Sequence, residues 1–266
     1  MFKFILFVLI FVLTSCSPPE KKEFQRGENK VSTSEFKEAI VHFDNSIKVA
    51  PESSWAMKSA REAARVSHYL AKDFTTAIRF YRHMVLYSDS PEERNKSQKE
   101  IAYLFFDSLQ NYPQAIIEFY KLLQMSDKDF EIATYKLAIA RANYYLNQFN
   151  QALSEIGEIV RLKITDDVLF DTVLLQGNIF VAQKSFQKAI FIFNDLLKRF
   201  PEKSEKENVP LTLTVCYEEN FQYKEAIKIL EALKNKYSPP EYIELRIKRI
   251  NERIKNQPGA KGLHRK

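Results

Sequence analysis

Glycine is scarce in this chain of 266 residues, with five, and so are cysteine with two, histidine with four and tryptophan with one. Each shortage removes a class of chemistry. Gly27, Gly157, Gly177, Gly259 and Gly262 form no glycine-rich loop that could cradle a phosphate. None of His42, His68, His83 and His264 has a second histidine, cysteine or carboxylate at a metal-ligand spacing, so each reads as structural or exposed and no metal is expected. No serine stands in G-x-S-x-G, and the histidines are too few for a triad. Besides Cys16 there is only Cys216, which reads as a small apolar core residue. No stretch alternates apolar and polar long enough for a sheet. Pairs such as Glu92-Glu93 and Asp166-Asp167 read as helix starts, where the dipole favours negative charge, rather than as catalytic carboxylates. No catalytic residue is expected.

What the chain does have is a repeat. Ala39, Ala77, Ala115, Ala152, Ala189 and Ala226 are separated by 38, 38, 37, 37 and 37 residues. An aromatic residue stands three places before each alanine (Phe36, Phe74, Tyr112, Phe149, Phe186, Tyr223), and Phe43, Tyr81, Phe119, Ile156, Phe193 or Leu230 stands four places after it. Offsets of three and four lie on one helical face. A small residue there marks where a second helix comes close. Helix starts agree with this register: Ser90-Pro91-Glu92-Glu93 and Ser238-Pro239-Pro240-Glu241 place serine three before glutamate with proline at the first helical position, and Ser32 with Glu35 gives the same box.

The fifth unit shows the helix that precedes the alanine helix. Val173, Gln176, Gly177 and Phe180 are followed by Ala189, Phe193 and Pro201. This spacing resembles the tetratricopeptide repeat (TPR), W-x2-L-G-x2-Y then A-x3-F then P. The resemblance covers about residues 32–240 and implies an all-α fold: a right-handed superhelix of antiparallel helix pairs, a TPR solenoid of six units. It departs from the pattern in places. The small residue at the Gly177 position is Arg65, Tyr103 and Thr214 in units two, three and six. The excess of the period over 34 residues is expected in longer helices or in loops such as Glu202–Pro210. Unit one lacks a recognisable first helix, so no regular helix is expected before Ser32. Ile243, Ile247, Ile250 and Ile254 make one narrow stripe, which fits a capping helix over 241–257.

The N-terminus reads Met-Phe-Lys, an apolar run from Phe4 to Leu13, then Leu13-Thr14-Ser15-Cys16. This has the form of a secretory leader over 1–15. The last four residues resemble the lipobox of bacterial lipoproteins, which implies a lipidated Cys16 as the first mature residue and needs no other cofactor. Two or more acyl chains anchor a protein stably. Ser17, in place of aspartate, implies by the family rule the outer membrane of a double-membraned bacterium, with the protein facing the periplasm. Residues 16–31 have the composition of a flexible tether, reaching roughly 50 Å when extended. From Arg246 to Lys266 there are eight Lys/Arg and one Glu, so the excess positive charge lies at the C-terminus, where 258–266 reads as a basic, disordered tail.

In TPR arrays the first helix of each unit lines the concave surface. That register implies a partner-binding groove carrying Tyr69, Glu100, Arg141, Tyr144, Tyr145, Asn178 and Val181. Arg141 and Asn178 hold equivalent places in successive units. The Lys/Asn clamp with which some TPR domains hold a carboxylate is replaced by Glu100, Leu104 and Asp107. Anchor, tether and repeats together resemble the TPR lipoproteins of the bacterial envelope, in architecture the TPR subunit of the outer-membrane β-barrel assembly machinery. The resemblance implies a non-enzymatic scaffold that binds other envelope proteins or peptide segments, with no nucleic acid and no small-molecule substrate. The alternatives are a periplasmic coordinator of wall synthesis or secretion, and an accessory superhelix of a murein-processing system.

Overall fold

In the computed structural model the described residues are 17–234, 236 and 240–256. The expected leader, Cys16 and the tail 258–266 lie outside them. Among the described residues there are fourteen α-helices and no strand. They fall into two compact units, divided between Asn111 and Tyr112.

The first unit holds α1 (Pro19–Ser32), α2 (Phe36–Val49), α3 (Ser54–Arg65), α4 (Phe74–Tyr87) and α5 (Pro91–Tyr103). The second holds α6 (Tyr112–Gln124), α7 (Asp129–Tyr145), α8 (Phe149–Ile159), α9 (Asp166–Ala182), α10 (Phe186–Arg199), α11 (Pro201–Lys206), α12 (Val209–Glu219), α13 (Tyr223–Leu233) and α14 (Pro240–Lys255). Within each unit a helix packs mainly on its neighbours in the chain. All six recurrent alanines are fully buried, and the recurrent aromatic is the first residue of α2, α4, α6, α8, α10 and α13. Side chains four residues after the alanine fill the core, with Phe43, Phe119 and Phe193 wholly enclosed. At the C-terminal end Ile243 and Ile250 of α14 are buried against Tyr223, Ala226 and Leu230, and Arg246 bonds Glu218 at 2.5 Å, so α14 caps α13.

Two expectations fail at the N-terminus. Residues 16–31 are not a tether throughout: Pro19–Ser32 is helix α1, packed on α2 and α3. Pro18 and Pro19 open it with the fixed φ that a first turn needs. Phe24 is buried against Phe43 and Trp55, with ring centroids 5.8 and 5.4 Å apart. Ser46 Oγ donates to the Glu20 carbonyl and Ser59 Oγ to Ser46 Oγ, each at 2.8 Å, which pins α1 through α2 to α3. The decisive residue is Gly27. A Cβ there would overlap the Phe43 ring, just as one at Gly177 would overlap Phe193. Both glycines stand twelve places before the repeat alanine, so Gly27 is the small residue of unit one. The charged residues around it hide the pattern. The second failure is the Ser32–Glu35 box. Ser32 ends α1 and donates to the Asn29 carbonyl, while α2 starts without a side-chain cap. By contrast Ser53, Asp73, Ser90 and Thr165 do cap their helices.

The difference between 38 and 37 has a physical origin. Helix α3 continues through a π-helical turn, Val66–Leu70, and α5 through another, Leu104–Ser108. In units one, four, five and six the turn between paired helices closes with a bond spanning five residues, such as Glu35 N to Lys30 O at 2.9 Å and Ser185 N to Phe180 O at 2.8 Å. In units two and three the equivalent bond spans six, Asp73 N to Ser67 O and Asn111 N to Phe105 O, both 2.8 Å. One residue is therefore inserted in each. Counting back past it, the small position belongs to Ala64 and Ala102, both buried, and not to Arg65 and Tyr103. The apparent departures from the repeat are register shifts. Nor is Glu202–Pro210 a plain loop, since α11 runs to Lys206 and α12 begins at Val209.

Every turn between paired helices uses a left-handed residue, and none is glycine. Ser34, Lys72, Gln110, Asn147, Lys184 and Phe221 have φ between 50° and 63°. The left-handed region costs an L-residue about 1–2 kcal/mol, and glycine in its place loses roughly 0.5–1 kcal/mol in chain entropy. Phe221 is 70% exposed and gains little from packing. Phe221→Gly is therefore expected to stabilise the protein by about 0.5–1 kcal/mol. A urea midpoint that falls would contradict this account of the turn.

Candidate functional site

The π turn in α3 brings its last residues over the space between α3 and α5. A cleft of about 580 Å³ opens there, wholly within the first unit. Arg61, Arg65 and Tyr69 line one side, Lys96 and Glu100 the other, and Tyr81 and Met84 of α4 lie between. Isolated π turns within helices are frequent at functional sites, because the inserted residue re-aims the side chains near it. Tyr69 and Glu100, expected on the groove from register, are thus brought together.

The charges of the cleft are unevenly matched. Arg61 is forked onto Glu93, Nε to Oε1 at 2.5 Å and a second nitrogen to Oε2 at 2.9 Å, and Ser88 also donates to Glu93. The Arg61 guanidinium holds the Glu93 carboxyl below its ordinary range. Arg65 is forked onto Glu62. Among the described residues Glu100 has one ion-pair contact, His68 at 3.7 Å. His68 stacks on Tyr69 with centroids 4.0 Å apart, and its Nδ1 lies 3.2 Å from the Tyr81 hydroxyl. Burial pushes the His68 imidazole below its ordinary value, against the pull of Glu100 and with the help of Lys72. Burial, then Glu100 and Tyr69, push the Tyr81 phenol up, so it stays protonated. The wall of the cleft therefore carries a carboxylate that faces neutral rings.

The other expected residues lie in the second unit. Arg141 reaches Asp171 of α9 at 2.7 Å, so its guanidinium is engaged. Tyr145 is 52% exposed and stacks on Tyr112, centroids 4.8 Å apart. Tyr144 packs partly into the core beside Phe149, and Val181 is partly buried in the cluster of α9, α10 and α12. Asn178 is half-buried. Sequence register missed Arg61, Arg65, Met84 and Lys96. The signal that finds Arg65 is the one-residue excess in the spacing: corrected for the π turn, Arg65 follows Ala64 as Arg141 follows Ala140 and Asn178 follows Gly177. Among the described residues no group of three histidines, cysteines or carboxylates is placed to hold a metal, and no helix is long and apolar enough to cross a membrane. Cys216 is fully buried, and burial raises its thiol to about 11, which keeps it protonated and unreactive.

His68 sets a pH dependence together with His83, whose imidazole burial also lowers despite the Pro51 carbonyl. Both folded values lie below the ordinary 6.5, so the unfolded chain binds these protons first as pH falls. Stability is complete above 6.5 and declines as pH drops through that value toward the folded ones. The urea midpoint is expected to fall between pH 7.5 and 5.5, and to fall less in a His68→Gln, His83→Gln double variant. Carboxylates held below their ordinary range, such as Glu23 bonded by His42, titrate at lower pH and leave this window clear. A midpoint that rises on acidification would reject the argument.

Residues 171–203 and 211–238 match the tetratricopeptide repeat family. No curated protein sequence matches the chain. Several solved structures share its fold. The type IV pilus biogenesis factor PilW superposes with a TM-score of 0.53 at 13% identity, over 86% of this chain and 100% of its own. A tetratricopeptide repeat protein from Parabacteroides merdae gives 0.54 at 11% identity, over 88% and 87%. YrrB, a TPR protein with an unusual peptide-binding site, gives 0.52 at 15%, over 78% and 97%. With the repeat register, the helix pairs and these superpositions in agreement, the chain has the fold of a tetratricopeptide-repeat solenoid, and residues 171–203 and 211–238 are the part that matches the family.

Proposed function

We propose that this chain is a non-enzymatic protein-binding scaffold, held by a lipid on Cys16 in the outer membrane of a bacterium and facing the periplasm, where it supports assembly of an envelope complex. The observation that carries the reading is the order of parts in the sequence: an apolar leader, Leu13-Thr14-Ser15-Cys16, and then a run of repeated helix pairs, of which residues 171–203 and 211–238 match the tetratricopeptide repeat family. Repeats of this kind present side chains along an open surface and leave the chemistry of their partners untouched. The solved structures that share the fold are described as a pilus biogenesis factor and as a protein with a peptide-binding site, which fits a binding role.

Helix α1 changes how the anchor works. Only Ser17 and Pro18 separate Cys16 from α1. A lipid on Cys16 therefore holds the first repeat within roughly 10 Å of the bilayer surface, not at the end of a long tether. Cys16→Ala is expected to move the protein from the membrane fraction to the soluble one. Retention of the variant in the membrane would remove the anchor. Crosslinking and pulldown from envelope membranes is expected to enrich components of outer-membrane protein assembly. Recovery of wall-synthesis, pilus or secretion proteins alone would sink the assembly role.

A further inference from the structure

The cleft of the first unit selects one kind of side chain. We propose that it binds an extended peptide segment of a partner protein through a lysine or arginine, whose cation lies between the Tyr69 ring and the Glu100 carboxylate. This rests on the protein-binding reading above and adds the chemistry of the ligand.

The charges of the cleft carry the argument. It is lined by three cations, Arg61, Arg65 and Lys96, and four carboxylates, Glu62, Glu92, Glu93 and Glu100. Both guanidiniums are already committed, Arg61 to Glu93 and Arg65 to Glu62. At either guanidinium an acidic ligand would have to break one of these forks, and the third cation, Lys96, already acts on Glu93. Among the described residues Glu100 has no ion-pair partner of fixed charge: its one such contact is His68, whose imidazole burial holds below its ordinary value. A partly buried carboxylate without a counter-ion attracts a cation more strongly than an exposed one, because less water screens it.

The aromatic wall points the same way. Tyr69 is half-exposed, with its ring laid against His68. A cation over a tyrosine face gains about 0.5–1 kcal/mol at an exposed site and more when desolvated. Met84 lies in the same wall and suits the alkyl stem of lysine or arginine. Ser97, a lining residue that is 1% exposed, has a buried hydroxyl with no hydrogen-bond partner among the described residues. The π turn Val66–Leu70 carries Tyr69, which lines the cleft, and His68, on which its ring stacks.

The test uses the soluble Cys16→Ala chain, 15N-labelled, titrated with three tripeptide amides at pH 7.5: acetyl-Ala-Arg-Ala, acetyl-Ala-norleucine-Ala and acetyl-Ala-Glu-Ala. The arginine peptide is expected to shift amide signals of α3 and α5 with a millimolar Kd, at least fivefold tighter than the norleucine peptide. Glu100→Gln and Tyr69→Leu, both at solvent-reached positions, are expected to weaken arginine binding threefold or more with unchanged spectra elsewhere. Equal binding of all three peptides, tighter binding of the glutamate peptide, or arginine binding that Glu100→Gln leaves unaltered would each overturn the proposal. Absence of any shift would do so too. None of these results touches the membrane and crosslinking outcomes on which the scaffold reading stands or falls.

Discussion

Phe193→Ala is expected to destabilise the second unit by about 3–5 kcal/mol, the range for removing an enclosed phenylalanine. The ring has no exposure, and it sits among Phe170, Val173, Ala189, Leu196, Val209, Leu213 and Cys216, so the cavity left behind has little freedom to collapse. Its face is pressed on the backbone of Gly177, where an added Cβ would overlap ring carbons. A double-mutant cycle makes the claim specific. Gly177→Ala is expected to cost about 1–3 kcal/mol alone, as overpacking does, and much less when Phe193 is already alanine. The coupling would be absent if glycine were there for chain flexibility. Because contacts run between neighbours in the chain, hydrogen exchange should rise first in α9, α10 and α12, with less change in the first unit. The same cycle at Gly27 and Phe43 tests whether α1 belongs to the first repeat.

Lys136→Ala is expected to cost about 3 kcal/mol, because it strands a carboxylate that is nearly out of water. Lys136 on α7 reaches Glu155 of α8 at 2.9 Å and Glu158 at 2.6 Å, and Glu155 also accepts the Tyr120 hydroxyl of α6 at 2.8 Å. Three consecutive helices meet at this network. Burial works against the Lys136 ammonium, and the bonds to Glu158 and Glu155 overcome it and raise the group above its ordinary value. Lys136→Met with Glu155→Leu is expected to recover most of the loss, since an apolar pair of similar volume avoids the unpaired charge. Urea midpoints at 0.15 and 1 M salt read the difference. The loss should change little with salt, because groups this enclosed are weakly screened. A loss that vanishes at high salt would place the network at the surface.

Much of the fold was legible because a repeat states its pattern several times. Six buried alanines with an aromatic three places earlier outweigh any single exception. Legibility failed where one local signal was overwritten. At α1 the residues around Gly27 are charged, so no periodicity announces the helix; Phe24, the proline start and the ring of Phe43 hold it instead. At Arg65 and Tyr103 the repeat looked broken because a single inserted residue moved the register, and a π turn cannot be told from a substitution by counting alone. For the groove residues register could give only a surface: that Tyr69 and Glu100 line one cleft, that Arg141 is spent on Asp171 and that Tyr144 and Val181 lean into the core came from the structure.

The sequence by itself determined the class of fold and the spacing of its helices, since offsets of three, four and thirty-seven follow from helix geometry and from the size of one repeating hairpin. Only the tertiary structure decided which small residues lie under which rings, where the inserted residues go, and which charges are already paired. Those outcomes depend on contacts between residues about 13 to 35 positions apart, such as Gly177 with Phe193 and Arg61 with Glu93. Packing density and the cost of an unpaired buried charge settle such contacts, and neither quantity is carried by a residue's own identity.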